Sequence, residues 1–105
     1  MLVAFSVAPS GGEAPDASVH TAVAAAVKIV RDSGLPNHTD SMFTTIEGEW
    51  DEVFDVIKRA TDAVGAFGTR VSLVLKADIR AGRTGELTGK VERLEAAMAA
   101  QTTSS

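Results

Sequence analysis

The order of hydrophobic patterns along the chain predicts one α+β domain. A strand-type alternation opens the chain, with Val3, Phe5 and Val7 on one face. Two stretches with helical spacing of apolar residues follow, separated by a short segment of strand-forming residues, and a second clear alternation lies between residues 69 and 80. With a last helix, the order strand, helix, hairpin, helix, strand, helix is the split βαβ, ferredoxin-like arrangement. We therefore expect an antiparallel sheet with helices on one face.

Length and composition agree with a single small domain. Of the 105 residues, we expect 1–100 to form the domain and 101–105 to be a flexible tail. Fourteen acidic against ten basic residues give a net charge of −4, which argues against a nucleic-acid or anionic-membrane partner. No apolar run reaches transmembrane length. Cysteine is absent, which excludes disulfides and thiolate chemistry and is typical of the cytoplasmic location that we expect.

The first strand and first helix have clear boundaries in the sequence. The strand is predicted from Leu2 to Ala8, and Pro9 ends it. Asp16 is a candidate N-cap for the helix that follows. Gly34 is a candidate C-cap at its other end. The apolar stripe of this helix consists of Val19, Val23, Ala26, Val27 and Val30.

The segment from Leu35 to Gly48 allows two interpretations, a single long bent strand or a hairpin. We prefer a hairpin with strands near Asn37–Ser41 and Phe43–Glu47, because strands of about five residues are the usual length. Neither Asn-Gly nor Asp-Gly marks the turn between them. His38 is expected to be a surface residue rather than a metal ligand, since the sequence offers no further ligands at a suitable spacing.

The second half of the chain supplies a helix, a strand and a last helix. The helix is predicted from Asp51, its candidate N-cap, to the residue before Gly68, its candidate C-cap. The strand is predicted over Thr69–Arg80. The last helix is expected to open at Thr84 or Thr88. Its apolar residues are Leu87, Val91, Leu94 and Met98.

One face of the predicted sheet has no helix to cover it. Two helices on a four-stranded sheet pack on the same face. The other face is expected to carry Ala4, Ser6, Phe43 and Val74, with little charge. An uncovered face of this kind predicts self-association of the chain.

Residues 39–50 are the segment in which polar, acidic and aromatic residues are most densely mixed. A ligand site needs a few convergent polar groups on an apolar floor, and this segment contains both. The alternative is a surface hairpin whose threonine and glutamate side chains are simply solvated. Residue types alone leave both interpretations open.

Several local features, taken in order, resemble one family. They are Ser6 and Pro9 at the first strand, Ser33-Gly34-Leu35 after the first helix, residues 42–48 (Met-Phe-Thr-Thr-Ile-Glu-Gly), residues 76–80 (Lys-Ala-Asp-Ile-Arg) and Lys90-Val91. On these features the chain, from Leu2 to Met98, resembles the thiamine-binding, YkoF-like family of small ferredoxin-like proteins. That family usually has Pro-Met-Gly-Thr where this chain has Ser41-Met42-Phe43-Thr44. The ring of Phe43 would therefore either fill part of a pocket or stack on a ligand.

The resemblance implies binding without catalysis. The ligand would be thiamine or its hydroxymethylpyrimidine part, no cofactor or metal would be needed, and the chain would form a homotetramer through its sheets. The carboxylate of Glu47 would accept from the pyrimidine amino group, a hydroxyl would pair with the ring edge, and an aromatic ring would stack on it. The ligand-binding residues that the resemblance implies are Ser6, Phe43, Thr44, Glu47, Trp50 and Asp78.

Two other classes of function remain as alternatives. Acylphosphatases share the fold in outline, but they need an arginine in the loop after the first strand. Here that loop reads Ser10-Gly11-Gly12-Glu13, and we therefore expect no enzymatic activity. The second alternative is a structural or regulatory homo-oligomer in which Phe43 closes the pocket.

Overall fold

The computed structural model describes residues 1–10, 16–82 and 84–103. Within this part of the chain it contains four strands and three helices. Their bounds are β1 Leu2–Ser10, α1 Asp16–Asp32, β2 Asn37–Thr39, β3 Thr44–Glu47, α2 Trp50–Gly65, β4 Arg70–Asp78 and α3 Glu86–Thr103. The loop Ser10-Gly11-Gly12-Glu13, whose lack of an arginine argues against an acylphosphatase, lies outside the described residues after Ser10.

The four strands form one antiparallel sheet in the order β2-β3-β1-β4. β1 pairs with β4 along its whole length, whereas it pairs with β3 only from Leu2 to Phe5. The edge of β1 from Ser6 onward is therefore free of β3. This sheet and the order of elements confirm the predicted α+β, ferredoxin-like fold.

The hydrophobic core lies between one face of the sheet and helices α1 and α2. Alternate residues of β1 point into it, since side chains of a strand alternate between the two faces. Ile46 of β3 is fully buried beside them. The buried apolar residues are Val3, Phe5, Val7, Ala22, Ala26, Val30, Ile46, Val53, Val56, Ile57, Ala60 and Val64.

The opposite face of the sheet, called here the open face, is defined by the strand register. It carries the side chains that alternate with the core residues, namely Leu2, Ala4, Ser6, Ala8, His38, Thr45, Glu47, Ser72, Val74, Lys76 and Asp78. Phe43, which we expected on this face, lies in the turn before β3 and lines a cavity beside α1 instead. The N-terminal turn of α3 contacts the open face at Glu47, so this third helix does not lie with the other two.

Two of the predicted helix starts are wrong by a few residues. α2 begins at Trp50, and the residue before it, Glu49, is its N-cap rather than Asp51. The backbone N–H of Glu49 donates to the Glu52 side chain, and this capping contact favours a start of α2 at Trp50. Asp51 lies in the first turn of the helix, where the helix dipole favours an acidic residue. α3 begins at Glu86, between the two threonines that were candidates, and continues through residues 101–103 of the predicted tail.

The two predicted helix-capping glycines differ in role. Gly34 has a φ of +79°, the left-handed conformation expected after α1. The prediction for Gly68 is wrong, because α2 ends at Gly65 with Ala66 as its C-cap. Gly68 lies against the end of β1. A Cβ atom there would be 3.0 Å from the Ser10 carbonyl oxygen and 3.1 Å from the Pro9 Cβ.

Gly68→Ala is expected to lower the free energy of unfolding by about 1–3 kcal/mol, the usual cost of overpacking. The added methyl group meets backbone of β1, which cannot move aside as a flexible side chain can. Gly65→Ala is the matched control, because its Cβ would make an ordinary contact of 3.7 Å with Val71. Urea unfolding of the two variants measures the difference. Equal midpoints for both variants would show that the approach of Gly68 to β1 is not tight.

Candidate functional site

A cavity of about 180 Å³ opens where β1 runs past the end of β3. Its walls come from the second half of β1, the middle of α1 and the hairpin between β2 and β3. A cavity of ~150 Å³ binds benzene in another protein, and pockets for drug-sized ligands start at ~300 Å³. The cavity therefore has room for one six-membered ring. Its lining residues are Phe5, Ser6, Val7, Ala8, Val23, Ala26, Val27, Thr39, Asp40, Ser41, Met42, Phe43 and Thr44.

The turn of the hairpin is held by the side chain of Asp40. Its Oδ1 accepts hydrogen bonds from the backbone N–H of Met42 at 2.8 Å and of Phe43 at 2.9 Å. The backbone N–H of Asp40 donates to the Phe43 carbonyl oxygen at 3.0 Å. An aspartate that binds the backbone of its own turn replaces the Asn-Gly or Asp-Gly signal that the sequence lacks. The turn therefore fixes both Asp40 and Phe43 at the cavity.

Two threonine hydroxyls lie together in the cavity wall. Thr39 and Thr44 are directly opposite each other on β2 and β3, and their Oγ1 atoms are 3.1 Å apart. Thr44 is only 7% exposed. A hydroxyl has one donor and two acceptor positions, so this pair retains capacity to bond a ligand. The floor of the cavity thus combines apolar side chains of α1 and β1 with a small polar group.

Asp40 is the one charged residue among the described residues that line the cavity. The pKa of its carboxyl group is held below its ordinary value, chiefly because Phe43 N–H and Met42 N–H donate to it. It is therefore ionised at neutral pH. The mouth of the cavity carries a fixed negative charge.

Three of the predicted site residues line this cavity, namely Ser6, Phe43 and Thr44. Phe43 is 37% exposed, so its ring is available to a ligand. The alternation of β1 puts the side chain of Ser6 on the open face. Thr39 and Asp40 were not among the predicted site residues. An aspartate at the start of a four-residue turn, and a threonine opposite another threonine, are the signals that would have indicated them.

Glu47 lies elsewhere, on the open face. Its carboxylate accepts hydrogen bonds from the backbone N–H groups of Glu86, at 2.8 Å, and Leu87, at 3.4 Å. These N–H groups belong to the first turn of α3 and have no partner within the helix. Glu47 is 7% exposed. The side chain therefore has a structural role as the cap of α3.

Trp50 and Asp78 also lie apart from the cavity. Trp50 stacks on Phe54 within α2, with ring centroids 5.2 Å apart. Asp78 accepts a hydrogen bond from the Lys90 ammonium of α3, and this contact lowers the pKa of the Asp78 carboxyl group. The six predicted residues thus divide into three groups: three residues at the cavity, Trp50 on α2, and the pair Glu47 and Asp78. The members of this pair flank Leu2 on the open face, and both contact α3.

No group of three histidine, aspartate or glutamate side chains converges on a common point within the described ranges. His38 lies exposed on the open face. Among the helices of the described residues, none combines the length and the apolar character needed to cross a membrane.

Comparison with known proteins identifies the family. The sequence model described as "Thiamine-binding protein" matches residues 3–95. The chain belongs to the thiamine-binding protein family. This confirms the resemblance inferred from the residues.

Relatives of this family member are known as sequences and as structures. A Mycobacterium bovis protein, UPF0045 protein Mb1933, is 53% identical over 97 residues, which cover 90% of this chain and 91% of the relative. A solved Bacillus cereus domain of unknown function, DUF77, is 33% identical, with a TM-score of 0.70 over 81% of this chain and 82% of that one. A solved Thermotoga maritima protein named for a candidate role in thiamine biosynthesis or salvage is 28% identical. Its TM-score is 0.72, and the match covers 89% of this chain and 96% of that one.

Proposed function

We propose that this protein binds thiamine, or its hydroxymethylpyrimidine part, in the cavity between β1, α1 and the hairpin, without chemical conversion. The observation that carries the proposal is a ring-sized cavity of about 180 Å³ with a part-buried pair of threonine hydroxyls in its wall. Membership of the thiamine-binding family supports the choice of ligand. The role named for the Thermotoga relative supports the same choice.

The chemistry of the cavity suits an aminopyrimidine. Such a ring presents an amino donor and ring-nitrogen acceptors along one edge, and a threonine hydroxyl can pair with either kind of group. The presence of Thr39 and Thr44 in the cavity wall supports such a pairing. The exposed part of the Phe43 ring can stack on the ring face. A ligand contact by Glu47, Trp50 or Asp78 stays a prediction of the family resemblance, since none of the three lines this cavity.

Binding without catalysis is also part of the proposal. General acid–base catalysis uses pairs of titratable groups within hydrogen-bond reach of a reacting atom. The described lining offers one carboxylate, that of Asp40, and no histidine, cysteine or lysine to act with it.

We infer in addition that the chain works as a homo-oligomer, as the resemblance implies. Val74 on the open face is 57% exposed. A second apolar surface runs along α3. Its half-exposed residues are Val91, Leu94 and Met98. Large apolar side chains exposed on two neighbouring surfaces of a small domain support burial against another copy.

Thr44→Val is expected to weaken binding of thiamine and of hydroxymethylpyrimidine by about fivefold to tenfold, the value of one hydrogen bond. Valine keeps the shape of threonine and removes the hydroxyl. Thr45→Val is the matched control, because it replaces the same residue type on the opposite face of the same strand. Calorimetric titration of both compounds into the three proteins measures the affinities.

The same titrations can contradict the proposal in two ways. If the wild type binds and Thr44→Val binds equally well, the ligand does not contact the hydroxyl pair and the position of the site is wrong. If the wild type binds neither compound, the proposed function is wrong. The structural or regulatory homo-oligomer, with Phe43 filling the pocket, then becomes the better account.

A further inference from the structure

We propose that the mouth of the cavity is a cation subsite, in which the Asp40 carboxylate and the Phe43 ring hold a positively charged part of the ligand. The inference rests on the proposed function and specifies the chemical class of ligand that the same site accepts. It concerns two residues that a single turn places together, Asp40 at its start and Phe43 at its end.

The position of the carboxylate is fixed before any ligand binds. Two backbone N–H groups hold Oδ1, those of Met42 and Phe43. Oδ2 accepts no hydrogen bond from the described residues and is free to face a ligand. A carboxylate that is already oriented loses little conformational entropy when a cation binds.

The charges around the mouth favour a cation and disfavour an anion. The α1 residues of the lining, Val23, Ala26 and Val27, are uncharged. The charge of a protonated His38, two residues before Asp40, is the smallest of the causes that lower the pKa of the Asp40 carboxyl group, and only in that protonated form would His38 oppose a cation. No lysine or arginine is among the described residues of the lining, so the site offers nothing to neutralise a phosphate. The face of the Phe43 ring attracts a cation through its quadrupole.

The size of the cavity sets the orientation of a two-ring ligand. A volume of about 180 Å³ holds one ring, so a second ring must lie at the mouth. Thiamine consists of a neutral aminopyrimidine joined to a cationic thiazolium. The part-buried hydroxyl pair of Thr39 and Thr44 suits the aminopyrimidine, which leaves the thiazolium beside Asp40 and Phe43. Phosphate esters of thiamine would bring negative charge to the same carboxylate and are expected to bind more weakly.

Asp40→Asn tests the subsite, because the asparagine oxygen can still accept from the backbone of the turn while the charge is removed. Affinity for thiamine is expected to fall by about fivefold, which corresponds to the ~1 kcal/mol of two unit charges 4 Å apart in water. Affinity for neutral hydroxymethylpyrimidine is expected to change by less than about twofold, since that ligand carries no charge. Asp62→Asn, an exposed change on α2, alters the net charge equally and should change neither affinity.

Salt gives an independent measurement. Because an exposed ion pair is screened, a rise from ~0.05 M to ~1 M salt should weaken thiamine binding to the wild type and have little effect on Asp40→Asn. Calorimetry at both salt concentrations, with thiamine, thiamine monophosphate and hydroxymethylpyrimidine, measures both effects. Tighter binding of thiamine monophosphate than of thiamine would overturn the subsite.

The outcomes separate this inference from the proposed function. If thiamine and hydroxymethylpyrimidine bind and Asp40→Asn weakens neither, the subsite is wrong and the proposed function stands. If neither compound binds the wild type, the proposed function is wrong, and benzyltrimethylammonium becomes the probe. Amide shifts of Asp40 and Phe43 on its addition, absent in Asp40→Asn, would support a cation subsite, and unchanged spectra would overturn it.

Discussion

Replacing Glu47 with alanine is expected to lower the free energy of unfolding by about 2–3 kcal/mol. The carboxylate is buried and accepts from two backbone N–H groups of the first turn of α3. Alanine leaves both donors unpaired at a site where water enters poorly. It also removes a negative group from the N-terminus of a helix, where the backbone dipoles favour one. For a domain of this size the loss corresponds to a fall of roughly 10–20 °C in melting temperature.

Glu47→Gln and Glu92→Ala complete this experiment. Glutamine keeps one acceptor oxygen and loses the charge, so we expect about half of the effect of alanine. Glu92 is exposed on α3, and its replacement should change stability by no more than about 0.5 kcal/mol. Thermal unfolding gives the stabilities, and hydrogen exchange at the start of α3 shows whether the helix detaches first. An unchanged melting temperature and unchanged exchange in Glu47→Ala would contradict the capping role.

These variants also test the ligand contact that the family resemblance implies for Glu47. A direct hydrogen bond to the pyrimidine amino group would make Glu47→Gln bind thiamine about tenfold to a hundredfold more weakly. If Glu47 only caps α3, affinity at a temperature well below the melting point should stay within about twofold of the wild type. Binding and stability therefore distinguish the two roles of one side chain.

The fold could be predicted because the sequence encodes the two faces of each element. Val3, Phe5 and Val7 alternate with small residues in β1, and Val53, Val56 and Ile57 repeat along α2, so the core side of both is set locally. Element ends depend on finer contacts. The sequence could not distinguish Gly68 from a helix cap. Glycine is needed there because β1 approaches closely, and β1 lies far away in the sequence.

The site was only partly predictable, and the reason is the geometry of a strand. Thr44 and Glu47 are three residues apart in β3, so their side chains lie on opposite faces of the sheet. The side chains of residues 39–50 are therefore divided between the cavity and the open face. The partner of Glu47 is the start of α3, some forty residues later, and no local pattern indicates that contact. Asp40 supplies one of the carboxylates of residues 39–50, and its side chain builds the turn.

Val74→Lys is expected to reduce the assembly of the chain to a smaller species. In the register of the sheet Val74 lies opposite Ser6, and the neighbouring open-face side chains of β1 are the small residues Ala4 and Ala8. The small side chains of β1 beside this exposed valine can pack closely on their own copy across a two-fold axis. Lysine at this position would meet its symmetry mate and bury a charge without a partner.

Light scattering on a sizing column measures the result. We expect the wild type to run at a multiple of 10.9 kDa, with four chains as the assembly that the family resemblance implies. Val74→Lys should run with fewer chains and an unchanged circular dichroism spectrum, since an exposed residue contributes little to the fold of one chain. Ala24→Lys, on the exposed side of α1, adds the same charge away from the sheet and should assemble like the wild type.

The apolar stripe of α3 offers a second contact, and Leu94→Glu tests it separately. If the open face and α3 bury themselves in two different interfaces, each variant should stop at an intermediate size, and only the double variant should be monomeric. If both surfaces belong to a single interface, each variant alone should yield the monomer. A wild type that is monomeric at micromolar concentration would contradict self-association altogether. Equal masses for Val74→Lys, Leu94→Glu and the wild-type oligomer would instead place the contact on another surface.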